Sequence, residues 1–237
     1  KMGYKTILRE LLWFINGSTD NRLLKEQNVH IWSGNGSKEF LVERGLSYEE
    51  DDLGPIYGFQ WRHFGAEYDD RDTDYTGKGV DQLKWLIEEI KNNPSSRRLI
   101  LNAWNVSDLD KMALPPCHIL SQYYVNESDG TLSCQLYQRS GDMFLGIPFN
   151  IASYAMLTCI ICKLTGYKPG LLHHVIGDAH IYEEHEVAVL KQLKRVPKVF
   201  PKLTISDDLV DIDSITECMF TVEEYESYGR ITAPMAI

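Results

Sequence analysis

The sequence predicts a single-domain α+β fold, a mixed β-sheet packed with helices, and three observations carry that reading. Helical and strand-like segments alternate without a regular βαβ rhythm. No repeat, low-complexity tract or Gly/Ser linker divides the 237 residues, so 1–237 reads as one domain. The composition, 43% hydrophobic and 24% charged, is that of an ordinary folded chain with one sizeable core.

Taken in order, Thr6 to Ile15 sets Ile7, Leu8, Leu11, Leu12, Phe14 and Ile15 near helical period, with Asn16-Gly17 as the stop and Glu10 amid the apolar run. Asp69 to Gly79 is polar and reads as a loop. Asp81 to Asn93 is a clearer helix, with Leu83, Leu86, Ile87 and Ile90 on one face and Pro94 after it. Arg98 to Trp104 reads as a strand. Ile119 to Val125 and Thr131 to Gln138 read as two more, joined by a turn at Asn126-Glu-Ser-Asp-Gly130. Pro148 to Leu164 is the most apolar segment, a helix with Pro148 near its start and Gly166 as its stop. Leu171 to Ile181 is strand-like, Glu184 to Lys194 is a short helix, and from Val199 short strands alternate with acidic turns.

Composition excludes several function classes. A formal net charge of −10 argues against a general nucleic-acid surface, while a few arginines can still make a local anion site. The five cysteines show no regular spacing, which disfavours a disulfide framework and points to a reducing, cytoplasmic compartment. No stretch reaches the roughly 20 apolar residues that a bilayer span needs. The longest, Ile151 to Cys162, is about half that and suits a buried helix. Lys1-Met-Gly-Tyr4 leads straight into the amphipathic pattern, so no signal peptide is expected and the chain reads as beginning inside a domain.

The chemistry centres on Cys117, in Ala113-Leu-Pro-Pro-Cys-His118. Two preceding prolines fix φ and remove two ladder donors, which places the thiol at a strand start or bend, where it can face a cavity. The plainer reading is a small buried cysteine. His118 is no natural base for it, because neighbours in an extended segment point to opposite faces. Arginine is the natural means of lowering a thiol pKa from about 8.5. Arg139 is the candidate, in a run that also carries Ser140, Asp142 and Asn150. Guanidinium with hydroxyl suits a phosphate. An Asn at the head of a buried helix offers a donor and an acceptor to a base such as uracil. Read plainly, Asn150 caps its helix and Arg139 pairs with Asp142.

Leu114-Pro-Pro-Cys-His118, Gln138-Arg-Ser-Gly-Asp142, Pro148-Phe-Asn-Ile-Ala-Ser-Tyr154, Gly177-Asp-Ala-His-Ile-Tyr182 and Asp52-Leu-Gly-Pro-Ile-Tyr-Gly-Phe-Gln-Trp-Arg62 resemble thymidylate synthase motifs. They stand in the family's order, and the similarity runs from about Tyr4 to Ile237. The resemblance implies a homodimeric methyltransferase that converts dUMP to dTMP. Its co-substrate would be 5,10-methylenetetrahydrofolate, both carbon donor and reductant, with no metal. Cys117 would attack C6 of the pyrimidine and leave C5 nucleophilic. Glu10, Tyr57 and His118 would organise proton transfers, and burial would raise the pKa of Glu10.

For the nucleotide, the resemblance implies Gln138, Arg139, Ser140, Asp142, Asn150, His180 and Tyr182, with Arg97 and Arg98 crossing to the partner's phosphate. His180 and Tyr182, at i and i+2, would share one face of a strand. For the folate it implies Trp32, Asn35, Asp142, Gly146, Phe149 and Ala236, with the C-terminal tail closing over the ligands. The resemblance implies an N-terminal segment with an arginine-containing phosphate loop before the first helix, upstream of where the sequence as given starts. Glu184 stands where an asparagine is common.

Two rivals follow. A hydroxymethylase shares the attack by Cys117 but lets water trap the one-carbon unit, and its cytosine reader carries Asp where this chain has Asn150. A non-catalytic nucleotide- or RNA-binding relative is disfavoured by Cys117, Arg139 and Glu10 standing together. A zinc site fails on spacing: His180 and His185 are not the i, i+4 pair of one helix face, and Cys159-Ile-Ile-Cys162 lacks a second pair.

Overall fold

The computed structural model describes residues 2–235, so Ala236 lies outside the described residues. Its first helix, α1 (Tyr4–Ile15), buries Ile7, Leu8, Leu11, Leu12, Trp13, Phe14 and Ile15. Each such side chain contributes about 1.5–3 kcal/mol of transfer free energy, enough to hold a helix that no side chain caps. Three short helices were not expected: α2 (Arg22–Glu26), α3 (Lys38–Glu43) and α4 (Tyr57–His63). Then comes α5 (Gln82–Asn92), which starts where predicted because the Asp81 carboxylate accepts from the Lys84 N–H.

The main sheet has four strands, β1 (Ile100–Asn102), β2 (His118–Asn126), β3 (Thr131–Asp142) and β4 (Lys168–His180), in the spatial order β1-β2-β3-β4. The first two pairings are antiparallel and the β3–β4 pairing is parallel, so the sheet is mixed and the fold α+β. The parallel pair is joined by α6 (Gly146–Thr165), the one crossover helix its geometry demands. The helix is 20 residues long, more than the twelve-residue apolar run suggested, and by length and composition it could cross a membrane. Here Leu157, Ile160 and Ile161 are buried in the main core, and Gly166 in the left-handed region (φ 81°) stops the helix as expected. After α7 (Glu186–Leu193), a small ribbon forms from β5 (Lys202–Ile205) and β6 (Phe220–Glu223).

One register irregularity sits beside Cys117. His118 pairs with Gln138 but Leu120 pairs with Tyr137, so Ile119 is an extra residue in β2. The α6 side of the sheet is buried through Tyr123, Val125, Leu132, Cys134 and Leu136. The other side leaves Tyr124, Tyr137, Leu171 and Val175 exposed, at 67%, 37%, 64% and 42%. Far segments are stapled to α1: Arg9 makes a double hydrogen bond to Glu217, and Met2 N–H donates to the Tyr225 hydroxyl.

Candidate active site

Cys117 stands one residue before β2, as the prolines predict, and is half-buried. Three contacts from two segments fix it. Its N–H donates to the Tyr57 hydroxyl at 2.7 Å, its carbonyl accepts from the Arg139 N–H at 2.8 Å, and its Sγ lies 3.8 Å from Arg139 Nη2. Arg139 is itself held by the two prolines' carbonyls: Nε donates to Pro116 O and Nη2 to Pro115 O, both at 2.9 Å. It also stacks on Trp104. Arg139 therefore does not pair with Asp142. The proline pair has a second use, since extended backbone turns two carbonyls toward one guanidinium.

The thiol pKa is a partial correction. Burial pushes it above its ordinary value, and Arg139 pulls the other way without overcoming burial. The guanidinium is thus the offsetting charge, as reasoned, but the net direction is up.

Glu10 extends from α1 and accepts the Trp32 indole N–H at 2.8 Å. The apolar surround raises its pKa to about 7, in the direction expected. Trp32 is buried against Trp13, Phe14 and Tyr57, and its indole N–H holds Glu10 in place. The His118 ring stacks on Tyr57 at 4.2 Å and its Nδ1 bonds the Tyr154 hydroxyl at 2.9 Å. Burial drops its pKa to about 3, so it is neutral in the physiological range and is not the base for Cys117.

β3 runs past its expected end at Gln138 to Asp142, which puts Arg139, Ser140 and Asp142 on a strand rather than in a loop. Gln138 ties the next layer together: its Nε2 donates to Asn150 Oδ1 at 3.0 Å and to Ser140 O at 2.8 Å, and its Oε1 meets His174 Nε2 at 2.9 Å. Asn150 lies in the second turn of α6 rather than at its cap, which is Leu145. Asp142 accepts the N–H groups of Phe144 and Leu145 and so turns the chain into α6 past Gly146. His180 is the last residue of β4 and pairs with Asp142. Tyr182 lies beyond that strand, so the two do not share a strand face, but their rings meet edge to face at 5.1 Å.

Other candidates stand apart. Arg97 and Arg98 are exposed before β1, and neither forms an ion pair among the described residues. Asn35 is half-buried in the turn before α3. Phe149 borders a cavity of about 470 Å³ also lined by Leu145, Arg195 and Tyr228, away from Cys117. Among the described residues no three His, Cys, Asp or Glu side chains converge as metal ligands would.

Sequence reasoning did not single out Tyr154, His174 or Trp104 for this site. Tyr154 and His174 each meet a partner 36 residues away, a distance no local pattern signals.

This chain matches the thymidylate synthase family model over residues 1–237. It is 55% identical over 235 residues to the thymidylate synthase of Equine herpesvirus 2, covering 99% of this chain and 81% of that protein. Against the thymidylate synthase of Saccharomyces cerevisiae it is 52% identical over 245 residues, covering 100% of this chain and 81% of that one. Against the bifunctional dihydrofolate reductase-thymidylate synthase of Zea mays it is 54% identical over 235 residues, covering 99% of this chain and 45% of that protein. The chain spans about half the length of such bifunctional plant relatives. A match across the whole chain, at this identity, over motifs that the fold gathers around one thiol, has one meaning: the chain belongs to the thymidylate synthase family.

Proposed function

We propose that the protein methylates dUMP to dTMP with 5,10-methylenetetrahydrofolate and releases dihydrofolate. The observation that carries this reading is Cys117 Sγ at 3.8 Å from an arginine whose own geometry is fixed by Pro115 and Pro116. An anionic phosphate beside Arg139 and Ser140 would occupy the guanidinium's remaining donors. Cys117, as thiolate, adds to C6 of the uracil, and the ring's electron pair moves to C5, which becomes the nucleophile toward the one-carbon unit. Asn150 accepts from Gln138 through Oδ1, which leaves its amide nitrogen to donate to the uracil edge. Tyr57 and Glu10 move protons, the former at the C5 side and the latter through water; Glu10 near pKa 7 can both give and take one. The folate supplies the one-carbon unit and then the hydride that makes it methyl, and as the hydride arrives the C5–C6 double bond re-forms and Cys117 leaves C6 as thiolate. His180 and Tyr182 take the deoxyribose hydroxyl. Asp142, Gly146, Phe149, Trp32 and Asn35 take the folate.

A homodimer accompanies this reading. The uncovered sheet face, with Tyr124 and Leu171 exposed and Arg97 at its margin, suits a second copy that would receive Arg97 and Arg98 at its phosphate. Five free cysteines support a reducing, cytoplasmic setting.

The test is to add 5-fluorodeoxyuridylate with methylenetetrahydrofolate and map any adduct by peptide mass. A covalent ternary adduct on the Cys117 peptide, absent in Cys117→Ser, is expected. No adduct under turnover conditions overturns the assignment. A hydroxymethylated nucleotide with unoxidised tetrahydrofolate would replace it by the hydroxymethylase reading.

A further inference from the structure

His185 is buried, 1% exposed, in the turn between β4 and α7, yet the chemistry above does not use it. Its Nε2 lies 2.7 Å from the carbonyl oxygen of Pro234, in the C-terminal tail. A carbonyl only accepts, so Nε2 carries the proton and donates. The other ring nitrogen, Nδ1, is buried without a hydrogen bond and faces Asp142 Oδ1 at 3.4 Å. Phe144 and Tyr182 pack on the ring, each at 5.5 Å, and fix its plane. One imidazole thus spans the tail on one side and the Asp142–Leu145 turn on the other.

We propose that His185 is a positioning residue, a latch that seats the C-terminal tail against the Asp142 turn and thereby sets affinity for the folate. Its second half rests on the reading of Asp142 as a folate contact. The first half does not, because the contact to Pro234 needs no ligand.

The experiment compares His185→Phe, which keeps an aromatic ring but no donor, with His185→Gln, which keeps an N–H near the Nε2 position. Amide exchange at Thr232, Ala233 and Met235 is read in the full chain without ligand. Loss of the one hydrogen bond should speed exchange about tenfold in His185→Phe and much less in His185→Gln. The KM for methylenetetrahydrofolate should rise about tenfold in His185→Phe with the KM for dUMP unchanged. Unchanged tail exchange in a folded His185→Phe protein overturns the latch. Faster tail exchange with an unaltered folate KM upholds the latch and overturns the folate reading of Asp142 instead. Equal loss in both variants, with a lowered melting temperature, would make His185 merely a packing residue and also overturn the proposal.

Discussion

Glu10 is the residue at which stability and the proposed proton transfer pull apart. Its carboxyl has a folded-state pKa of about 7 against an ordinary 4.5, so between those values the native state holds a proton that the unfolded chain has lost. Stability from this group is present below pH 4.5 and falls as pH rises through 7. Glu10→Gln should therefore be more stable than the parent by ~1–3 kcal/mol at pH 8, with the gap closing near pH 4, as measured by urea unfolding. The same variant keeps the acceptor for Trp32 but cannot carry a proton, and its kcat should fall by about 10²-fold or more. At Cys117 the opposing terms are burial and the Arg139 charge. Arg139→Gln should move the midpoint of thiol alkylation to higher pH, and an unmoved midpoint would mean that the guanidinium does nothing for the sulfur.

At the level of elements, the decisive contact is α1 against α4. A Cβ on Gly58 would stand 2.6 Å from the Phe14 carbonyl oxygen and 2.8 Å from the Phe14 Cα, both backbone and unable to rotate away. Gly58→Ala should cost about 1–3 kcal/mol and, by pushing back α4, loosen Tyr57 from the Cys117 amide; a melting curve and the rate of thiol modification would both report it. This contact also explains what the sequence concealed. Helices α1 and α5 were legible because one apolar stripe faces the core and a stop residue or Asp81 marks a boundary. In α4, by contrast, the first five residues are all buried, so no amphipathic period exists to be read. Helices α2 and α3 each bury a single leucine, Leu24 and Leu41, too little for a pattern. The end of β3 was hidden by Gly141, where a Cβ would press on the Ile147 and Ile176 side chains, at 2.6 Å and 3.0 Å, and make them shift. For the site, Cys117, Arg139 and Asn150 stood out in the sequence by residue type alone. The layer that aims them, Tyr154, His174 and the Pro115 and Pro116 carbonyls, depends on tertiary meetings that no spacing reveals.

For the molecule as a whole, the uncovered sheet face would govern the proposed assembly. Tyr124→Asp places a charge in the middle of a face that the proposed second copy would bury, and should shift sedimentation from dimer to monomer with loss of turnover. Arg97→Ala should leave the dimer intact and raise the KM for dUMP about tenfold, because a desolvated charge pair to phosphate is worth roughly 1.5–3 kcal/mol. The staple between Arg9 and Glu217 has a different reach, since its partners are separated by 208 positions. A ribosome adding about 5–20 residues per second needs roughly ten to forty seconds between the two. During that interval Arg9, one step before Glu10, lacks Glu217 as its counter-ion, and that flank of α1 waits for the Glu217 segment. Such wide separation also makes the closing step slow for any chain refolding from denaturant. Proton transfer, on the proposed reading, should thus become competent only once the segment around Glu217 has been made and has folded back onto α1.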